Sequence, residues 1–549
     1  MNYDIWAESE KAKIDLLKAK WSYYVDEAEQ APDVDTELRI FSHNKYADGS
    51  KLPFVDTTFF DPCMGSGHVL VYAFDVFMDI YTSQGWNPRD AAQRIVEKNL
   101  YGLDIDARAA QLAYFAVMMK ARQYDRRFFT RGIQPNLYSP GSYPDGQEYG
   151  SLLVGDELEP KPEAPEEFTL FDANYEEQLN AWNFRRLLSQ EYDVVVTNPP
   201  YMAVSNGNAA LNKYIKKNYP DSKGDLFAAF IERCWKYCSQ YLAMITQHSW
   251  MFLSSFEKLR TKLLLSTDIV SMAHLGARAF EEIGGEVVQT TSFVLRMGYH
   301  EGYRGTYCRL VDPTTQQGKE DMFLFGKSRH IAEQTNFFKI PGSPIAYWWR
   351  NFKLFDFSEI KHYYESAGRN KTHNNELYTR NWWEISDTEK WQPYANGGEF
   401  RRWAGNDYEV VDWSDEAKEF YTAHGGLYNQ KFCGKQGICW NLITSYKNGF
   451  RLKNACSHYS SGSPTIIAVS RELDYWVLAF LNSVVATTLL AIYNPTLNTT
   501  VGDVLGLPLS VSKDDEPNIV ALSTDCVSIS QKDWDSYETS SDFKRHPLV

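Results

Sequence analysis

The chain has 549 residues, of which 44% are hydrophobic, 23% charged and 15% aromatic, and its formal net charge is −15. That length suits about three or four domains at ~150 residues each, and the ordinary mixture excludes long disorder, collagen-like repeats and a disulfide-stapled scaffold. The acidic balance argues against general attraction of the whole surface to polyanions, nucleic acid included.

In chain order, Ile5, Trp6, Ile14, Leu17, Trp21 and Val25 recur at helical spacing among charged residues, so residues 1–50 are expected to be a helical segment opened by an amphipathic helix. No basic region followed by an apolar run opens the chain, so no signal peptide is expected. Residues 51–335 alternate strand-like and helix-like runs. TTFFDP, NLYGLDID, SLLVGDEL, YDVVVTNPPY and YLAMITQHSW read as five strands, with DIVSMAHLG and VVQTTSFVLRMGY as two more. GHVLVYAFDVFMDIYTSQG, ARAAQLAYFAVMMKARQYD and DLFAAFIERCWKYCSQ read as helices. Strands alternating with helices predict a doubly wound, mostly parallel α/β sheet. The acidic, proline-rich stretch at 159–168 reads as a solvated insertion.

From residue 336 the alternation stops and Trp, Tyr, Gly and Asn become dense, which predicts a second, α+β domain over 336–510 and a polar tail over 511–549. The longest apolar run, residues 475–493, is interrupted by Asn482, Ser483, Thr487 and Thr488 and reads as a buried helix. No run reaches the ~18–20 uninterrupted apolar residues of a membrane span. The 8 cysteines are scattered without CxxC spacing, which predicts reduced thiols in a cytoplasmic protein and no metal site.

Four strand ends carry chemistry-bearing residues. Asp61-Pro62-Cys63-Met64-Gly65-Ser66-Gly67-His68 is a glycine-rich strand-to-helix turn whose backbone can approach a ligand closely. It lacks the GxGxxG spacing of dinucleotide folds and the Lys-Ser/Thr of a phosphate loop. Asp104, in LYGLDID, sits where a carboxylate can accept from ribose hydroxyls; a solvated strand-end Asp is the plain alternative. Asp156, after Gly155, can accept from an adenine amino group or cap a helix. In Asn198-Pro199-Pro200-Tyr201, two prolines fix a turn that aims the Asn198 amide oxygen and the Pro199 carbonyl the same way. Two fixed acceptors can take both hydrogens of a planar amino group, and Tyr201 offers a stacking face.

DPCMGSG, GLDID, VGD and TNPPY, in that order, resemble the motif set of class I S-adenosylmethionine-dependent DNA adenine-N6 methylases in the gamma arrangement. The aromatic second domain and the closing DWDSYETSSDFKRHPL resemble the methylases of BREX phage-defence systems. The resemblance covers residues 51–549. It implies a Rossmann-like methyltransferase sheet over 51–335, then a target-recognition domain over 336–510. Position by position, it implies that Asp61 and the turn from Pro62, Cys63, Met64, Gly65, Ser66 and Gly67 to His68 line the cofactor. Asp104 holds its ribose and Ile105 packs on its adenine. Asp156 reads the adenine amino group and Phe227 covers the ring. Asn198 and Pro199 bind the target amino group, Pro200 completes the catalytic motif, Tyr201 stacks on the flipped base, and Asn198 also lines the cofactor. The partners so implied are double-stranded DNA, other BREX components or a phage-encoded inhibitor, and no membrane. Members of this family are longer, so the chain is expected to be a core or shortened copy. No PD-(D/E)xK nuclease motif is visible, and the usual upstream cofactor motif is not recognisable.

Phe420 to Ser470 contains no Asp or Glu. Lys431, Lys435, Lys447, Arg451 and Lys453 lie in it, with Arg401 and Arg402 just upstream. These are the candidate phosphate contacts. A chance basic patch, or Arg401 and Arg402 paired with nearby carboxylates, is the plain alternative. Two further functional readings remain open at this level: an RNA or protein amino-methyltransferase, and a DNA-sensing component of a defence complex that is inactive alone.

Overall fold

The computed structural model describes residues 3–38, 55–140, 149–155, 158–164, 173–280, 288–386, 389–428, 432–444, 447–470, 473–494 and 498–546. They form two compact units. One comprises Met1–Met251 with Ser255–Phe338; the other comprises Lys339–Val549 with Phe252–Ser254.

The first unit is built on a nine-stranded sheet. Its strands are β1 (Phe59–Asp61), β2 (Leu100–Leu103), β3 (Asn136–Tyr138), β4 (Tyr192–Thr197), β5 (Cys238–Gln247), β6 (Thr267–Ala277), β7 (Gln289–Met297), β8 (Arg304–Arg309) and β9 (Arg329–Glu333). Their spatial order is β3-β2-β1-β4-β5-β7-β6-β8-β9. β3, β2, β1, β4 and β5 pair in parallel, and β7 runs antiparallel to both β5 and β6. This is the doubly wound class I arrangement that the alternating runs predict. β1 lies between β2 and β4, so the connections leave it in opposite directions. That topological switch opens a crevice at the carboxyl ends of the strands.

The helices follow from their sequences. α1 spans Tyr3–Lys20. α2 (His68–Ser83) buries Leu70, Ala73, Phe74, Phe77 and Tyr81 on one stripe. Full burial of a side chain such as Leu70 or Phe74 stabilises the fold by about 1.5–3 kcal/mol. The helix stops at Gly85, whose φ of 83° lets the Trp86 N–H return to the Tyr81 carbonyl at 3.0 Å. α3 (Ala107–Tyr124) starts at Asp106, whose side chain accepts from the Arg108 N–H at 2.8 Å. Its small stripe of Ala110, Ala113, Val117 and Ala121 packs into the same core. α4 (Leu226–Tyr237) is buried on nearly every side and precedes β5 directly.

The sequence expectation lacks β3, β8 and β9 and holds one strand that the structure does not show. Residues 151–155 of SLLVGDEL form no strand: Gly150–Leu152 is a single 3₁₀ turn, with Gly150 at φ 51°. The third strand is instead Asn136–Tyr138, which pairs with β2.

The second unit holds two four-stranded sheets, a two-stranded ribbon and several helices, an α+β arrangement. One sheet has the order Tyr364–Ser366, Thr465–Ala468, Gly437–Cys439, Arg451–Lys453 and is antiparallel throughout. The other orders Thr379–Asn381, Glu409–Asp412, Trp391–Ala395 and His458–Tyr459. The apolar run at 475–493 is not one helix but two, Asp474–Leu481 and Val484–Tyr493, bent by 72°. The break has a local cause. The Asn482 side chain bonds both the N–H and the carbonyl of Phe450, at 3.1 and 2.9 Å, and Ser483 caps the second helix through the Ala486 N–H. Leu478, Leu481, Leu489 and Ile492 pack into the core of this unit. Among the described residues no single helix is long and apolar enough to cross a membrane. The helix Glu516–Trp534 also belongs to this unit.

Candidate cofactor and catalytic loops

The glycine-rich turn leaves β1 at Asp61, which is only 1% exposed. Its carboxylate accepts from the Cys63 N–H at 3.0 Å and from the Thr197 hydroxyl at 2.7 Å. Burial raises its pKa from the usual carboxylate range to about 7, against the pull of those two donors. The turn is pinned to β2: the Met64 N–H donates to the Leu103 carbonyl at 3.0 Å, and the Gly65 N–H to Asp104 Oδ2 at 2.9 Å. Gly67 adopts φ 87°, and a Cβ there would lie 2.9 Å from the Ala113 Cα, so glycine is required for both reasons. Gly65 also has φ 51°, but open space surrounds its absent Cβ. Ser66 and His68 are joined at the mouth of the turn, Oγ to Nδ1, at 3.0 Å.

Asp104 follows β2 directly and is half-buried, with Oδ1 accepting the Asp106 N–H at 2.9 Å. Each oxygen keeps a further lone pair. Ile105 beside it is 47% exposed, an apolar surface facing out next to a carboxylate. A Cβ on Gly150 would touch Ile105 at 3.4 Å, so the 3₁₀ turn passes directly by it. That turn is anchored from below, where the Ser151 hydroxyl donates to the Pro62 carbonyl at 2.6 Å. From the side, Tyr149 stacks on Tyr214 with centroids 3.8 Å apart, and the Val154 N–H donates to the Tyr214 oxygen at 2.7 Å. Asp156 lies outside the described residues.

β4 ends at Thr197, and Asn198-Pro199-Pro200-Tyr201 follows as its exit. Asn198 and Pro200 are exposed, Pro199 is buried and Tyr201 is half-buried. The Tyr201 hydroxyl is buried and has no partner among the described residues, and burial pushes its pKa up.

Phe227 requires a correction. It is 0% exposed, held edge-on to Tyr201 at 6.4 Å and tilted against Phe256 at 5.8 Å. With no exposed face it cannot cover a cofactor ring; it packs edge-on against Tyr201 instead.

In the second unit the basic stretch divides. Lys435 and Lys447 are exposed. Arg402 is half-buried above Phe400. Arg401 pairs with Asp533 at 3.0 Å and lies over the Trp534 and Tyr537 rings. Arg451 and Lys453 are not phosphate contacts, because each is 3% exposed. Arg451 Nη2 donates to Asn441 at 2.9 Å, and the Lys453 ammonium is taken up by the Lys435 and Asn454 carbonyls. Lys431 lies outside the described residues.

Sequence reasoning missed three contributors. Thr197 stands in the quoted TNPPY, and its place immediately before Asn198 was the available signal. Ser151 had no signal beyond its nearness to Gly155. Gly102, in LYGLDID, lies under the first turn, where a Cβ would meet Met64 Sδ at 2.6 Å.

Residues 98–280 match the model of the Eco57I restriction-modification methylase family. The adenine-specific methyltransferase PglX of Lacticaseibacillus casei is 37% identical, over 96% of this chain and 49% of its own length. The adenine-specific methyltransferase BrxX of Escherichia coli O9:H4 is 32% identical, over 97% of this chain and 50% of its own. Among solved structures, the Type IIL restriction-modification enzyme MmeI in complex with DNA covers 97% of this chain and 72% of its own, with 12% identity and a TM-score of 0.58. A nuclease-deletion mutant of the Type ISP enzyme LlaGI, with a DNA substrate mimic, covers 89% and 46% with 12% identity and a TM-score of 0.58. At that identity the likeness is one of fold. The chain thus spans about half the length of the curated relatives it matches, and within that span it belongs to the PglX family of adenine-specific methyltransferases.

Proposed function

We propose that this chain transfers a methyl group from S-adenosylmethionine to N6 of a flipped adenine in double-stranded DNA, as the self-marking methylase of a BREX-type defence system. The observation that carries this reading is the Thr197–Asp61 hydrogen bond. It holds the exit of β4, with its two fixed acceptors, against the root of the glycine-rich turn. Cofactor loop and base-binding loop are thereby one construction.

The residues fit S-adenosylmethionine. The open space at Gly65 admits its methionine end, Asp104 has acceptor capacity for ribose hydroxyls, and exposed Ile105 offers an apolar face to adenine. When bound, that cofactor supplies a methyl group on a positively charged sulfur. The protein does the rest by position. A base inside a duplex is out of reach and must be extruded, at a cost of a few kcal/mol. Tyr201 stacks on the extruded base. The Asn198 amide oxygen and the Pro199 carbonyl accept the two amino hydrogens, which draws the nitrogen toward tetrahedral geometry and localises its lone pair. Orientation and fixed dipoles account for the acceleration. Lys435, Lys447 and Arg402 are the side chains on the second unit suited to phosphate. Two solved neighbours of this fold were captured with DNA or a DNA mimic, which supports the choice of substrate.

The test is transfer of labelled methyl from S-adenosylmethionine to duplex DNA, with the product base identified by mass spectrometry. N6-methyladenine is expected, and Asn198→Ala should lower the rate at least 100-fold while cofactor affinity is kept. Full activity in Asn198→Ala, or label on RNA or protein instead, rejects the reading.

A further inference from the structure

The chain after Tyr201 does not run free. It is zipped onto the start of α4 by two backbone bonds and by one bond to a carboxylate that also caps the helix. Asp225 caps α4 by accepting the Phe227 N–H at 3.3 Å, and the same oxygen accepts the Met202 N–H at 3.1 Å. The Leu226 N–H donates to the Met202 carbonyl at 3.0 Å, and the Val204 N–H to the Gly224 carbonyl at 3.2 Å. Ala203 and Asp225 form an antiparallel bridge. The first turn of α4 also delivers Phe227, whose buried ring meets Tyr201 edge-on. Met202 is the residue immediately after Tyr201, so its N–H fixes the peptide plane that closes the four-residue loop.

We propose that Asp225 is a positioning residue for methyl transfer: by holding the Met202 N–H and the first turn of α4 together, it sets the Asn198–Tyr201 loop in its base-receiving geometry. The proposal rests on the reading of that loop given above. Ordinary helix capping needs only the Phe227 N–H. The second bond, to Met202, is no part of the helix cap and ties the loop to it. A misplacement of about 1 Å at a reacting group costs on the order of 100-fold in rate. A side chain that removes that freedom therefore affects turnover more than binding. The carboxylate is half-buried, and burial raises its pKa while the amide donors oppose the shift, so ionised Asp225 is the form those donors favour.

Two substitutions separate positioning from capping. Asp225→Ser keeps a good helix cap but is too short to reach both amides. Asp225→Asn keeps an acceptor oxygen at nearly the same place. For Asp225→Ser we expect kcat to fall at least 10-fold, with KM for S-adenosylmethionine within twofold of the parent. Backbone hydrogen exchange in residues 198–206 should speed up at least 10-fold, and the melting transition should stay near that of the parent. Asp225→Asn should restore most of the rate and the slow exchange. Unchanged exchange in Asp225→Ser overturns the positioning role whether or not the parent methylates DNA. Equal losses in kcat and cofactor affinity overturn it too, by assigning Asp225 a general structural role. If the parent shows slow loop exchange that Asp225→Ser abolishes, yet transfers no methyl group to DNA, the positioning stands and the proposed reaction is what fails.

Discussion

The Thr197 hydroxyl donates to Asp61 Oδ1 at 2.7 Å, joining the last residue of β4 to the last residue of β1 across 136 positions of chain. Both groups are buried, so the bond is protected from water and its loss leaves the buried Asp61 carboxylate one donor fewer. Thr197→Val keeps the shape and removes the donor. It should cost about 1–3 kcal/mol of stability, measured by urea unfolding. It should also weaken cofactor binding and slow transfer together, because the two loops share this bond.

Asp61 carries a pH signature. Its pKa is about 7 in the folded chain and near 3.8 in the unfolded one, so the folded state holds the proton more tightly. Its contribution is complete below pH 3.8, declines as pH rises, and is lost through pH 7. Between pH 5.5 and 8, unfolding free energy should fall by about 2 kcal/mol more in the parent than in Asp61→Asn. Denaturant titrations of both proteins across that range check this; parallel curves would mean that Asp61 is already ionised in the fold.

Gly67→Ala places a Cβ 2.9 Å from the Ala113 backbone at a φ of 87°. Strain at such a position is on the order of 1–3 kcal/mol, with the clash in addition. α2 and α3 must separate at the cofactor turn, so the variant is expected to melt lower and to show no cofactor binding by calorimetry. Gly65→Ala, with open space around its Cβ, should fold better but still bind poorly.

Tyr214→Phe keeps the stack on Tyr149 and removes the oxygen that accepts the Val154 N–H. The turn beside Ile105 then loses its side anchor. KM for S-adenosylmethionine is expected to rise about 3–10-fold at nearly constant kcat, about 0.7–1.4 kcal/mol of binding.

The basic stretch makes a contrasting pair. Lys435→Ala with Lys447→Ala should weaken DNA binding and reduce the salt slope by about 2. Lys453→Met should leave the slope alone and destabilise the second unit by about 1–3 kcal/mol, since two carbonyls lose their donor. Fluorescence anisotropy at several salt concentrations separates the two.

The sheet was legible because its long strands alternate with strongly periodic helices, and the motifs mark strand ends by composition. The Asn198 loop and the glycine-rich turn could be placed from the residues alone. β3 could not, since its three residues, Asn136–Tyr138, are too few to show a period. SLLV read as a strand because apolar runs look alike, yet the positive φ of Gly150 and the Ser151–Pro62 bond curl it into a turn. Phe227, Arg451 and Lys453 were misjudged for a common reason. Residue type says what a side chain can bind, and only packing says whether it is accessible.

The elbow at Asn482 has a consequence for assembly. Phe450 enters the outermost strand of the antiparallel sheet in the second unit, where a bare backbone is a template for another chain. The Asn482 amide presents one donor and one acceptor to Phe450, as a neighbouring peptide group does. Trp403 pairs here as well: its N–H donates to the Phe450 carbonyl, and its carbonyl accepts the Leu452 N–H. A helix corner and a loop together impersonate a missing strand. Backbone groups of Phe450 and Leu452 on this edge are thereby occupied from within the unit and are not open to another chain.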